Sequence, residues 1–187
     1  MSQKAVIINL PESEAENIYA EDMASIINGL LGGRSGILPT GNQLAAQKVN
    51  NNTVRLSGGD YSNQGYIVRI PGGESIDLTI ENGYQDLKRY DLIVSEYRRT
   101  ASGEYHEIKV IKGSPALSPS VPVLTQGNLN NGAELRQEAI YLIKINGLNI
   151  ESITRQASVI SPSAQSSITM GTAPPNANTP GNIYIQY

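Results

Sequence analysis

Arg89-Tyr90-Asp91-Leu92-Ile93-Val94 and Glu107-Ile108-Lys109-Val110-Ile111-Lys112 are two arms of alternating character, joined through Thr100-Ala101-Ser102-Gly103 and followed by Gly113-Ser114-Pro115. A period of two sends successive side chains to opposite faces of a strand, and the Ser-Gly step supplies the positive φ of a tight turn. The stretch predicts an antiparallel hairpin stopped by proline, and with it a β-built chain.

Outward from the hairpin, Gly113-Ser114-Pro115-Ala116-Leu117-Ser118-Pro119-Ser120-Val121-Pro122 cannot run as a central strand, because proline has no N–H to give a ladder. It is expected to cross the surface extended. The chain then returns through Ala139-Ile140-Tyr141-Leu142-Ile143-Lys144-Ile145, its most apolar run and the expected central strand, ended by Asn146-Gly147.

On the N-terminal side the pattern predicts strands at Leu44–Val49, Thr53–Ser57, Tyr66–Ile70 and Ser75–Ile80. Those around the hairpin and return are Leu92–Tyr97, Glu104–Lys112 and Glu138–Ile145. Asn50-Asn51-Asn52, Gly58-Gly59-Asp60, Pro71-Gly72-Gly73 and Asn82-Gly83 read as the turns between them.

Earlier still, Ser13-Glu14-Ala15-Glu16 fits a capping box, so a helix is expected there or a few residues later. Met23, Ile26, Ile27, Leu30 and Leu31 form its apolar stripe, Gly32-Gly33 its stop, and Glu21 and Asp22 a solvated face. The expected organisation is an N-terminal segment with an amphipathic helix (1–36), an antiparallel β domain (37–155), and a Ser/Pro-rich linker with a β tail (156–187). The fold class is mainly β with one N-terminal α-helix: an antiparallel sandwich or barrel with an extended C-terminal strap. The tail Gly181-Asn182-Ile183-Tyr184-Ile185-Gln186-Tyr187 can add to a sheet edge of its own subunit or of a neighbour, making Tyr184 and Tyr187 candidate interface contacts.

Bulk composition narrows function by exclusion. A chain of 187 residues can bury one proper core. Without cysteine it has no disulfide framework, thiolate nucleophile or zinc-thiolate cluster. A net charge of -3 gives none of the basic footprint that phosphate backbones demand, so nucleic acid is not an expected partner. Ala5-Val6-Ile7-Ile8 is too short for a signal peptide's apolar core, and no stretch approaches a bilayer-spanning length, so no membrane insertion is expected. Ten tyrosines stand beside no tryptophan or phenylalanine. Their rings suit thin cores and interfaces, and exposed ones can stack on sugars.

Chemistry-bearing motifs are scarce. His106, the one histidine, falls in a strand beside Tyr105 and Glu107 and reads as a ladder residue. The serines lack a G-x-S-x-G elbow and the glycines lack a phosphate-binding loop. No sequence pattern holds zinc or calcium, and Asp60, Asp77, Asp86 and Asp91 are scattered. Asp91 is read as a strand-start residue that turns or pairs with Arg89. A carboxylate pair meeting in space would make a cell-wall hydrolase, but nothing singles one out. No catalytic residue, cofactor or metal is assigned.

Taken in order, the phrases resemble the N-terminal attachment modules of tailed-bacteriophage baseplate and tail-fibre proteins. They are Tyr19-Ala20-Glu21-Asp22-Met23-Ala24, Gly36-Ile37-Leu38, Val54-Arg55-Leu56-Ser57-Gly58-Gly59 before Gly65-Tyr66, Arg89-Tyr90-Asp91-Leu92-Ile93-Val94, Lys112-Gly113-Ser114-Pro115 with Pro119 and Pro122, and Ala139-Ile140-Tyr141-Leu142-Ile143. The resemblance covers about residues 15–155, and Gly171-Thr172-Ala173-Pro174-Pro175 with the final seven residues is similar to the tails of prophage structural proteins. It implies a mechanical role: docking on a tail tip beside other baseplate proteins, commonly as a homotrimer, and supporting host recognition. The implied location is the virion tail, after synthesis in the host cytoplasm. The alternative is a carbohydrate-binding adhesin meeting host cell-wall glycan through Tyr61, Tyr66 and Tyr84.

Overall fold

A computed structural model describes residues 19–160 together with two short strands, Thr169–Met170 and Tyr184–Ile185. The expected fold class holds: the chain is mainly β, with a helix near its start and two antiparallel sheets, one curled into a half-barrel.

The hairpin that decides the fold is β5 (Lys88–Thr100) with β6 (Gly103–Ile111), in register from Leu92 opposite Ile111 to Thr100 opposite Gly103. β7 (Leu135–Asn146) pairs on the other side of β5 and carries β8 (Asn149–Arg155), so the apolar return strand is central in the order β6-β5-β7-β8. β8 has no counterpart among the expected strands. Its register on β7 shifts between Lys144 and Ile145, which breaks the period of two that would have marked it.

The second sheet is built on β3 (Thr53–Asn63), which pairs along one edge with β1 (Gly36–Ile37) and β2 (Ala46–Asn50), and along the other with β4 (Tyr66–Thr79). Gln64 (φ 50°) and Gly65 (φ 92°) turn β3 into β4, the two positive φ values a tight hairpin of this kind uses. Here the structure corrects the expected turns. Gly58-Gly59-Asp60 and Pro71-Gly72-Gly73 lie inside two long strands, at a bulge where Ser57 faces Ser75 and Gly59 faces Ile70. A Cβ on Gly58 would stand 2.5 Å from the Pro71 carbonyl oxygen, so glycine serves close backbone approach there. Leu44, expected to open a strand, instead takes φ 52° and sinks its side chain fully into the core.

The two sheets share one apolar core. Val54, Leu56, Ile70 and Ile80 of the first meet Ile93, Ile140, Ile143 and Ile145 of the second, with Ile37 and Leu44 between. β4 runs beside β6, and β2 lies near β8, where the Lys48 ammonium donates to the Ile150 carbonyl at 2.9 Å. Ala157 and Val159 pack on the same core, and the Ile160 N–H bonds the Ile37 carbonyl at 2.7 Å.

Helix α1 (Ala20–Leu30) stops at Gly32 and Gly33, both at positive φ as the sequence requires. The expected cap at Ser13-Glu16 lies outside the described residues. The expected stripe does not bury: Met23 and Leu30 are exposed, and Ala24 is the residue that packs. The reason is proximity, for a Cβ on Gly65 would fall 1.8 Å from the Ala24 carbonyl oxygen, and only small groups fit so close a crossing. Ala24 joins Tyr66, Tyr97 and Leu129 in a second, smaller cluster.

The two strands beyond the body, β9 (Thr169–Met170) and β10 (Tyr184–Ile185), pair with one another in parallel.

Candidate functional site

The tyrosines proposed as sugar or interface contacts separate into different environments. Tyr61 is buried in the core, where burial first and the Glu138 carboxylate second raise its pKa. Tyr66 is also buried, its ring centroid 4.3 Å from that of Tyr97. These two placements correct the expectation of exposed rings: both residues sit on inward faces at the β3–β4 turn. Tyr84, in the loop after β4, is exposed. Tyr184 belongs to β10, and Tyr187 lies outside the described residues.

The charged residues of β5 also sort themselves. Asp91 pairs with Arg89, as read from the sequence, and both side chains are buried. Asp60 accepts from Arg69 Nε at 2.7 Å and from the Thr40 hydroxyl at 2.6 Å. Burial pushes the Asp60 carboxyl up, but these two donors and the Arg69 charge outweigh it and hold the pKa low. Glu96, on the outer face of β5, accepts from Lys109 and Gln137 and is held low by the same balance.

His106 stands opposite Tyr97 in the β5–β6 ladder, as expected, and its Nε2 lies 2.7 Å from the Ser95 hydroxyl. This serine-histidine contact was not foreseen, since cross-strand neighbours are invisible without the register. Burial pushes the imidazole down to about 4, against a smaller pull from the Ile67 backbone, and Ser95 is 0% exposed. A histidine neutral at physiological pH, bonded to a sealed hydroxyl, fits a packing role. Among the described residues no three histidine, aspartate or glutamate side chains gather as a metal site, and no helix is long and apolar enough to cross a membrane.

Two surface features remain. The first is the proline crossing. It begins where Gly113 N–H donates to Asp91 Oδ1 at 2.9 Å, and is tied to the β6 side of β5 by paired Lys88–Ala116 backbone bonds of 2.9 Å. It ends on the far side of β7, where Gln137 N–H reaches the Thr125 carbonyl at 2.8 Å and Thr125 N–H donates to Gln137 Oε1 at 3.0 Å. The segment therefore traverses the outer face of the β6-β5-β7-β8 sheet, the face on which Leu92 and Val94 are buried. Pinned at both ends and stiffened by Pro115, Pro119 and Pro122, it holds Leu117, Val121 and Val123 at 78%, 45% and 96% exposure. The sequence signal was present as apolar residues isolated between prolines, but the direction in which they point was not legible.

The second feature is a cleft of about 310 Å³ between α1 and the β4–β6 side of the body, walled by Met23, Ile27, Tyr66, Ile67 and Tyr105. Tyr105 carries the Arg98 guanidinium 5.3 Å from its ring centroid. Glu104, the carboxylate in the lining, is engaged by Arg99 Nε at 2.8 Å. No family model matches the chain, and a search of the curated proteins finds no match.

Proposed function

We propose that this chain is a structural component of a phage or prophage tail, in the baseplate or a fibre, that docks on the tail tip and supports host recognition. The ordered phrases of the sequence motivate the tail assignment, and the proline crossing carries the docking. A ridge of three outward apolar side chains, fixed before any partner arrives, loses little conformational entropy on association. Its partners in this reading are other tail proteins and further copies of the chain, with a trimer favoured. The role requires no chemistry of the chain.

The test is a triple substitution, Leu117→Ser with Val121→Ser and Val123→Ser, compared with the unaltered chain for incorporation into tail particles. The substituted chain is expected to fold normally and to lose incorporation by at least about tenfold, roughly 1.4 kcal/mol of association free energy. Equal incorporation would defeat the reading.

A second reading, a carbohydrate-binding adhesin, is favoured by Tyr84. Its exposed ring lies in a loop whose Asn82 amide oxygen accepts from Asn52, near Asn51 and Asn149, which are themselves joined at 2.6 Å. A ring beside amides can stack on a sugar face and bond its hydroxyls. Binding to host cell-wall polysaccharide that survives Tyr84→Ala would remove this reading.

A further inference from the structure

Helix α1 reaches the body through Ala24, leaving the Met23 side of its apolar stripe along the cleft and Leu30 exposed beyond it. An apolar cleft beside an exposed apolar stripe is surface that a folded chain ordinarily covers. We infer that the cleft receives the run Ala5-Val6-Ile7-Ile8 of the same chain.

Three observations favour this occupant. Reach comes first: the chain enters α1 at Ala20, itself in the cleft lining. The ten residues from Leu10 to Ala20 span up to ~33 Å when extended, about twice the ~16 Å length of the helix, so the run can double back along it. Charge is second. Ala5 to Ile8 carry none, and Glu104 in the lining is already neutralised by Arg99, so a neutral occupant leaves no ion stranded. Third, the competing apolar segment at the other end of the chain has a partner, because Tyr184–Ile185 pairs with Thr169–Met170.

The absence of cysteine makes the test clean. The full chain would carry Ile7→Cys with Met23→Cys, and a control would carry Ile7→Cys with Glu74→Cys at the distant β4 bulge. Under mild oxidation the first pair is expected to close an intrachain disulfide at least about tenfold faster than the control, since docking raises the effective concentration of the two thiols. Equal rates, or bridges only between chains, would overturn the inference. Independently of cysteine, Ile7→Asp with Ile8→Asp is expected to speed amide exchange in Met23–Leu30 by at least about tenfold while leaving β5 unchanged. Unaltered exchange in α1 would equally overturn it.

Discussion

Arg89 and Asp91, two residues apart on β5, point together into the protein and form a two-pronged ion pair, Nε to Oδ1 at 2.8 Å and Nη2 to Oδ2 at 2.9 Å. Each side chain is 1% exposed. The guanidinium also donates to the carbonyls of Asn82 at 2.9 Å and Glu81 at 2.7 Å, while Asp91 accepts from Gly113 N–H. One pair thus ties the loop after β4, the start of β5 and the start of the proline crossing. The phrase Arg89-Tyr90-Asp91 reads accordingly as a clamp at the base of the proline crossing.

Removing one partner leaves the other as an uncompensated buried charge. Arg89→Met or Asp91→Leu is expected to cost about 3–5 kcal/mol, whereas the two combined cost less than either alone. Urea unfolding of the three variants measures this. A double variant as unstable as the sum of the singles would refute the coupling.

Gly65 makes a sharper demand on geometry. At φ 92°, with its missing Cβ directed to within 1.8 Å of the Ala24 carbonyl oxygen, it cannot become alanine without displacing α1. Gly65→Ala is expected to lower stability by roughly 2 kcal/mol or more, through backbone strain and loss of the Ala24–Tyr66–Tyr97 packing. Thermal unfolding gives the size of the loss, and near-ultraviolet circular dichroism reports the tyrosine environment. An unchanged tyrosine signal would show that the helix is not held by this contact.

The strands around Arg89–Pro115 were legible because their alternation is undisturbed and a two-residue turn, Ala101-Ser102, joins them just before Gly103. Legibility failed where two local signals conflict. Gly58-Gly59-Asp60 carries turn residues, yet a long-range ladder and the close passage of Pro71 override them. The buried Arg89–Asp91 pair was readable because both partners share one strand face, two positions apart. Ser95 and His106 were not, for their contact depends on the β5–β6 register rather than on sequence distance. The outward ridge of Leu117, Val121 and Val123 was equally hidden, because an extended segment without a ladder has no period to announce which way its side chains face.

The tyrosines offer a direct check on the corrected placement. Tyr61 is 2% exposed in the shared core, so Tyr61→Ala is expected to cost about 3–5 kcal/mol, as large aromatic truncations in cores do. Tyr84 is 51% exposed, and Tyr84→Ala should stay within about 0.5 kcal/mol of the unaltered protein. Denaturant midpoints for the two variants settle the contrast, and similar midpoints would contradict it.

His106 sets the response to mild acid. In the folded chain burial lowers its pKa to about 4, whereas in the unfolded chain the ring takes up its proton near 6.5. Between these values the unfolded state binds more protons than the folded one, so the contribution of His106 is constant above about pH 7 and falls as the pH drops from about 6.5 towards 4. The loss across the window is of the order of 3 kcal/mol at most, from about 1.4 kcal/mol per pKa unit. Asp60 and Glu96, whose pKa values are held low, act on the acid side: their stabilisation is present above the ordinary carboxylate range and is lost as the pH falls through their folded values. With a single histidine in the chain, the slope between about pH 5 and 6.5 belongs to His106. Replacement by glutamine, which can keep a bond to the Ser95 hydroxyl without taking a proton, is expected to flatten that part of the stability profile. Chemical unfolding at half-unit steps from pH 4.5 to 7.5 measures it, and a His106→Gln profile as steep as the original would assign the slope elsewhere.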